Sequence, residues 1–312
     1  MKVGVVWDPI FAKHDMGRFH PESPRRALAV KEVLDELHGD ANIVSLATRE
    51  ASKEEVARVH DINYIEKLEQ TQGATSNIFL DPDTSVNAYS YRAALMSAGA
   101  GLVAIDEVMA HHIDNAFAFT RPPGHHAEYD HSKGFCLFNN IAVAAEYALQ
   151  KYGLKRVAII DIDVHHGNGS QSHFYERSDV FFASSHRHPF YPGSGHESEK
   201  GDGEGKGFNL NVNFRALSGD DEFKAAYEKV IFPAIEKYSP ELILVSAGFD
   251  AHEDDPLGGL RLKTSTYGWF TREIKKIAAK SAEGRVIYFL EGGYDTAALK
   301  QCVREVVGEL EK

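Results

Sequence analysis

The unusual polar residues of this chain are concentrated in four short segments, each following an apolar run. They are Arg121-Pro122-Pro123-Gly124-His125-His126, Asp161-Ile162-Asp163-Val164-His165-His166-Gly167-Asn168-Gly169, Ser246-Ala247-Gly248-Phe249-Asp250 and Glu291-Gly292-Gly293-Tyr294. Carboxylates and imidazoles at the ends of buried strands are costly unless they are paired or bind a metal. Asp161, Asp163 and His165 are spaced two apart, so along a strand they project to one side. Asp163, His165 and Asp250 together offer three N/O ligands. A catalytic zinc uses three protein ligands and keeps one position open. The same donor set also suits Fe(II), Mn(II) or Co(II). Such an ion lowers the pKa of bound water and polarises a carbonyl. His125 and His126, on a rigid Pro-Pro-Gly turn, are candidates for general base and acid. Asp161 and Asn168 are candidates for fixing their tautomers. Tyr294 is a candidate donor to a developing oxyanion. The chemistry these parts spell together is amide hydrolysis.

Each piece alone has a plainer reading. A strand-end Asp is often a helix N-cap, a tandem His a surface feature, and Gly-Gly-Tyr only a turn. Their joint occurrence at several strand ends points to a site.

The elements that would position them alternate between strand and helix. Strands are expected near Val3–Trp7, Ala116–Phe119, Val157–Asp163, Val180–Ser184, Phe208–Val212, Leu242–Ala247 and Val286–Leu290. Helices are expected near Pro24–Leu37, Tyr89–Ala110, Asn140–Lys151, Asp220–Lys237, Thr266–Lys280 and Thr296–Leu310. This order implies an α/β fold with a mostly parallel sheet covered by helices on both faces. No linker and no repeat divides the chain, so residues 1–312 read as one domain. The glycines between Gly193 and Gly207 are interleaved with acids and precede no helix. They read as a flexible rim loop beside a pocket, not as a phosphate cradle.

Hydrophobic residues make up 43% of the chain and charged residues 26%, the balance of a globular protein. The net charge of −12 argues against nucleic acid and anionic membranes as partners, while leaving a cationic substrate open. Two cysteines, Cys136 and Cys302, imply no disulfide framework. The N-terminus lacks the pattern of a signal peptide, and no apolar stretch approaches the roughly 20 residues that span a bilayer. A cytoplasmic protein is expected, with a homo-oligomer left open.

In this order the four segments resemble the zinc-dependent histone deacetylase superfamily, which includes acetylpolyamine amidohydrolases and acetoin-utilisation proteins. The resemblance begins at His20-Pro21-Glu22-Ser23-Pro24-Arg25-Arg26. It runs through Val59–Ile65 and Asp255-Pro256-Leu257-Gly258-Gly259 to Tyr294. It implies a single-domain, arginase-like three-layer fold with about eight strands in its central sheet. It implies Asp163, His165 and Asp250 as zinc ligands, His125 and His126 as the proton-transfer pair, and Asp161 as the partner of His125. Asn168 stands where many members have a second Asp, which resembles the class II branch and its bacterial and archaeal amidohydrolases. An amide cannot raise imidazole basicity as a carboxylate does, so His126 is expected to be the less basic histidine and the base.

The resemblance further implies a structural K⁺ held by the side chains of Asp161 and Ser184 and the carbonyls of Asp163, His165 and Ser185. Gly134, Phe135, Tyr191, Leu257 and Gly292 match the acyl-lysine tunnel, with plain core packing as the alternative for Phe135 and Tyr191. Aromatic walls suit the aliphatic stem of a lysine. Arg26 matches the arginine of an internal acetate pocket. Tyr294, where weaker members have His, implies a competent deacetylase. Leu257 stands where polyamine-specific members carry a glutamate, although Glu253, Asp254 and Asp255 lie close by. The segment Gly73–Val86 is short, which implies an open mouth. The expected substrate is an acyl-lysine protein or peptide; a small acylated amine such as an acetylpolyamine is the alternative. A non-catalytic binder or a two-metal ureohydrolase relative is a third reading. The latter lacks an Asp two residues after His165, where Gly167 sits.

Overall fold

The apolar runs Val157–Ile160, Leu242–Val245 and Val286–Leu290 are buried along their whole length. They lie in the middle of a sheet covered on both faces, as continuous β-branched runs require. The computed structural model describes residues 1–312. In chain order the strands are β1 (Val3–Val6), β2 (Ile43–Leu46), β3 (Ile78–Phe79), β4 (Ser85–Val86), β5 (Asn115–Ala118), β6 (Val157–Asp161), β7 (Val180–Arg187), β8 (Asn209–Phe214), β9 (Leu242–Ala247) and β10 (Val286–Leu290). The α-helices are α1 (Pro24–Glu36), α2 (Lys53–Val56), α3 (Ile62–Glu69), α4 (Ser90–Met109), α5 (Asn140–Tyr152), α6 (Asn168–Phe174), α7 (Asp220–Ala226), α8 (Phe232–Tyr238), α9 (Thr264–Ser281) and α10 (Thr296–Glu311).

Eight strands form one sheet in the order β2-β1-β5-β10-β9-β6-β7-β8. Every neighbouring pair is parallel. β3 and β4 form a separate small hairpin. One face carries α4 and α5, with Leu102, Ile105, Ile141 and Phe289 in its core. The other carries α1, α9 and α10, with Val33, Phe270, Val303 and Tyr288. The three layers are those of the expected fold.

Local differences from the sequence reading have local causes. β2 is half-exposed at the sheet edge, so it lacks a buried strand's continuous burial. The hairpin is only two residues per strand, and α2, α3 and α6 are four to eight residues long. The expected helix over 220–237 is broken by a π-turn at Tyr227–Ile231, just before Pro233, which lacks the N–H that would continue the ladder. β6 stops at Asp161, two residues earlier than expected, while β7 continues to Arg187. Asp163 and His165 therefore do not lie on a strand, and their convergence has another origin. No helix is long and apolar enough to cross a membrane.

Candidate active site

The four polar segments leave the C-terminal ends of β5, β6, β9 and β10, which neighbour one another in the sheet. Ligand sites of open α/β sheets form outside these ends. Past β6 the chain folds back through two successive Asx turns. Asp161 Oδ1 accepts from the Asp163 N–H at 3.1 Å, and Asp163 Oδ1 accepts from the His165 N–H at 2.9 Å. These turns, rather than strand alternation, aim Asp163 and His165 at Asp250.

The ligand atoms of Asp163, His165 and Asp250 all lie within 4.8 Å of one another. His165 Nδ1 is 3.0 Å from Asp163 Oδ1 and 3.2 Å from Asp250 Oδ2. Asp250 is fully buried, yet its Oδ2 accepts no hydrogen bond. Burial and the nearby Asp163 carboxylate push the Asp250 carboxyl up to about 7. Burial alone would lower the His165 imidazole, but Asp163 and Asp250 outweigh it and raise it to about 10. Two buried carboxylates with an orphaned oxygen and one imidazole are a donor set that fits a divalent cation. Gly292 closes the site: its N–H donates to Asp163 Oδ2 at 2.9 Å, and a Cβ there would lie 2.1 Å from Asp250 Oδ2. At Gly167, a Cβ would lie 2.1 Å from Asp161 Oδ2, so the further carboxylate a second metal would need has no room there.

The two histidines stand beside this cluster with ring centroids 4.0 Å apart. His125 Nδ1 is 2.9 Å from Asp161 Oδ2, and His125 Nε2 is 3.9 Å from Asp163 Oδ2. His126 Nδ1 is 2.7 Å from Asn168 Oδ1. Both rings are buried. Burial opposes charge on each, but Asp161 and Asp163 overcome it at His125 and raise that imidazole to about 10. At His126 burial is reinforced by repulsion from His125 and His165, which holds the imidazole well below its ordinary range. The pair is thus one charged and one neutral ring in contact.

Glu291 had no role in the sequence reading. Its side chain is buried, and its Oε2 accepts from the Gly124 N–H at 2.7 Å and the His125 N–H at 3.2 Å. Burial raises its carboxyl to about 7. A Glu directly ending an apolar strand was the available signal. With His125 and Cys136 it forms a second compact trio. Burial keeps Cys136 as a thiol, and its Sγ lies 3.3 Å from the Gly134 carbonyl.

Phe135 meets Tyr294 edge-on at 6.0 Å and His20 at 4.6 Å. Tyr191 meets His126 edge-on at 5.2 Å and His165 at 6.0 Å. Phe190, unassigned from sequence, stacks on the His165 ring at 5.2 Å. Phe135 adopts φ 70°, an unfavourable conformation for a bulky residue, and its N–H donates to Thr84 Oγ1 at 3.0 Å. Gly134 has φ 54°, and a Cβ there would lie 2.3 Å from His126 Cδ2. Gly134→Ala is therefore expected to displace His126 and cut kcat by at least about tenfold, with the fold retained, as assay and thermal melting together would read.

Leu257 is partly exposed. Asp255 is unavailable to a ligand, because its carboxylate accepts from the backbone N–H groups of Leu257, Gly258 and Tyr294. Glu253 and Asp254 remain exposed. Asp161, Ser184 and Ser246 are register neighbours across β6, β7 and β9. Ser184 Oγ also bonds His186 Nδ1 at 2.9 Å, and Ser185 Oγ bonds the Tyr227 hydroxyl at 2.8 Å. The glycine-rich 193–207 loop is tied down: Glu199 accepts from the Gly195 and His196 N–H groups and from Gln171.

Arg26 is buried and donates to the carbonyls of Gly293 at 2.6 Å and Glu291 at 2.5 Å. Its guanidinium lies 5.1 Å from the Tyr294 ring centroid. It therefore clamps the turn that presents Tyr294. Burial, with Asp250 adding to it, raises the Tyr294 hydroxyl well above its ordinary range, so it stays a donor.

Residues 20–310 match the histone deacetylase domain. The chain belongs to the histone deacetylase family. It is 38% identical to the histone deacetylase-like amidohydrolase of Pseudomonas aeruginosa over 93% of this chain and 77% of that protein. It is 40% identical to the chloroplastic histone deacetylase 10 of Oryza sativa over 92% of this chain and 68% of that protein. The crystal structure of the HDA15 HD domain superposes with a TM-score of 0.94 at 33% identity, covering 99% of this chain and 88% of that one. The protein is thus a histone deacetylase-family hydrolase of the branch that includes bacterial and archaeal amidohydrolases, and its single eight-stranded α/β domain is the deacetylase fold.

Proposed function

We propose that the protein is a zinc-dependent amidohydrolase that removes acetyl or other acyl groups from the ε-amine of lysine in proteins or peptides, releasing acetate or the corresponding acid. The observation that carries this is the convergence of Asp163, His165 and Asp250 beside a charged and a neutral histidine, at the foot of aromatic walls. A zinc ion held by those three residues would supply water activation and carbonyl polarisation. His126, neutral, accepts the proton of the attacking water. His125, held charged by Asp161, steadies the negative charge that develops and returns a proton to the amine. Tyr294 donates its hydroxyl to the oxyanion. Phe135 and Tyr191 flank the aliphatic stem, with Gly134 and Gly292 leaving it room. Arg26 has guanidinium N–H groups beyond its protein bonds and is read as the acetate-pocket arginine. A K⁺ among Asp161, Asp163, His165, Ser184 and Ser185 would brace the metal loop. The two buried free cysteines suit a reducing cytoplasm.

A free polyamine is the second reading. Two positions that could have met a distal ammonium do not offer a free carboxylate: Leu257 is apolar and Asp255 is consumed by backbone N–H groups, which leaves only the exposed Glu253 and Asp254. The test is a substrate panel on the zinc-loaded protein, setting acetyl-lysine and longer acyl-lysine peptides against acetylputrescine and acetylspermidine. Peptides are expected to lead in kcat/KM; a preference of about tenfold or more for a polyamine would overturn the ranking. Metal analysis is expected to give one zinc per chain, lost in Asp250→Asn. Two manganese ions per chain would sink the deacetylase reading.

A further inference from the structure

We infer that Glu128 is a positioning residue for the proton-transfer pair: it fixes which way the Asn168 amide faces, and so which nitrogen of His126 carries the proton. This rests on the role proposed above for His126. A side-chain amide has two N–H donors on one end and an acceptor oxygen on the other. Asn168 Nδ2 donates to the His126 backbone carbonyl at 3.2 Å and to the Glu128 carboxylate. Both partners accept only. Rotating the amide would set its oxygen against two oxygens and present its NH₂ to His126.

The orientation decides the tautomer. With Asn168 Oδ1 2.7 Å from His126 Nδ1, that nitrogen must donate, so the neutral ring has its lone pair on Nε2. With the amide reversed, Nδ1 would accept and Nε2 would carry the hydrogen, leaving no base at that atom. A carboxylate at position 168 accepts through either oxygen and needs no orienting; an amide does. Glu128 is well placed for the task. Its carbonyl lies 2.8 Å from His60 Nδ1, and its N–H donates to the His131 carbonyl at 3.0 Å, so its backbone is pinned just after the histidine pair.

Four variants and one spectrum test this. Glu128→Ala should lower kcat about tenfold with KM nearly unchanged, while Glu128→Gln, whose amide oxygen still accepts, should recover to within about twofold of the parent. Asn168→Asp alone sets two carboxylates against each other and should be impaired. Combined with Glu128→Ala it should be more active than either single variant, because the new carboxylate needs no orienting. Long-range ¹H–¹⁵N spectra of the full chain labelled at histidine should give His126 as the Nδ1–H tautomer in the parent and in Glu128→Gln, and a mixture in Glu128→Ala. An unmixed Nδ1–H tautomer in Glu128→Ala, or Glu128→Gln as impaired as Glu128→Ala, overturns the inference. The spectrum reads the tautomer whatever the substrate, so failure of the deacetylase reading would register separately, as a parent protein without activity.

Discussion

His126→Ala is expected to lower kcat/KM by about 10²–10⁴-fold, the usual worth of a positioned base, and by more than His125→Ala across the pH profile. The two rings touch, but their partners differ. Asp161 and Asp163 hold charge on His125 up to about pH 10, so it cannot take a proton at neutral pH. His126 is buried, has only an amide on Nδ1 and touches the charged His125 ring, so it remains neutral and available. Its charging would begin only below its ordinary range, which keeps the base competent down to mildly acidic pH. Loss of the His125 proton near pH 10 should set the alkaline limb of the profile. The measurement is kcat/KM from about pH 5 to about pH 10 for both variants. If His126→Ala retained more activity than His125→Ala across that range, the roles assigned to the two rings would have to be exchanged.

The sequence made the chemistry more legible than its geometry. The residue types Asp163, His165 and Asp250 pointed to a metal site because buried carboxylates and imidazoles are costly unless paired or bound to a metal. Central strands such as β6 and β9 read clearly because burial on both faces writes an unbroken apolar run. The edge strand β2 and the short helices α2, α3 and α6 did not, because half-exposed or brief elements carry little periodic signal. The strand spacing of Asp161, Asp163 and His165 pointed to residues that do come together, but by the wrong geometry: β6 ends at Asp161, and Asx turns do the aiming. Glu291, Glu128 and Phe190 were missed because their importance lies in partners distant in sequence. Glu291 meets Gly124 and His125 only after β5 and β10 have paired.

The largest expected stability effect lies behind the site, at Glu22. Its carboxylate is completely buried and shared by two buried guanidinium groups: Arg26 Nη1 at 3.0 Å, Arg121 Nε at 2.6 Å and Arg121 Nη2 at 2.9 Å. Glu22→Gln keeps the volume but leaves both cations without a buried counter-charge. Breaking a buried pair in this way costs about 3–5 kcal/mol, a large part of the 5–15 kcal/mol that typically holds a domain together. The damage should reach activity as well, since Arg26 clamps the Gly293 carbonyl before Tyr294, and Arg121 opens the turn that carries His125 and His126. Acid should mimic the substitution. Burial resists charge on Glu22, but Arg121 and Arg26 prevail and hold its carboxyl at about 2 against an ordinary 4.5. A depressed carboxyl stabilises fully above its unfolded value and loses that contribution as pH falls through the folded one, here from 4.5 toward 2. Buried His14, 3.7 Å from Glu22, acts in the same direction. Burial, then Arg121, holds it at about 3, so the unfolded chain gains a proton below 6.5 that the folded chain refuses. Urea unfolding against pH should therefore show stability falling with acid in the parent, and a flatter dependence below pH 4.5 in Glu22→Gln, which starts several kcal/mol lower. A Glu22→Gln protein within about 1 kcal/mol of the parent would mean that the backbone carbonyls around Arg26 and Arg121 suffice to hold two buried cations.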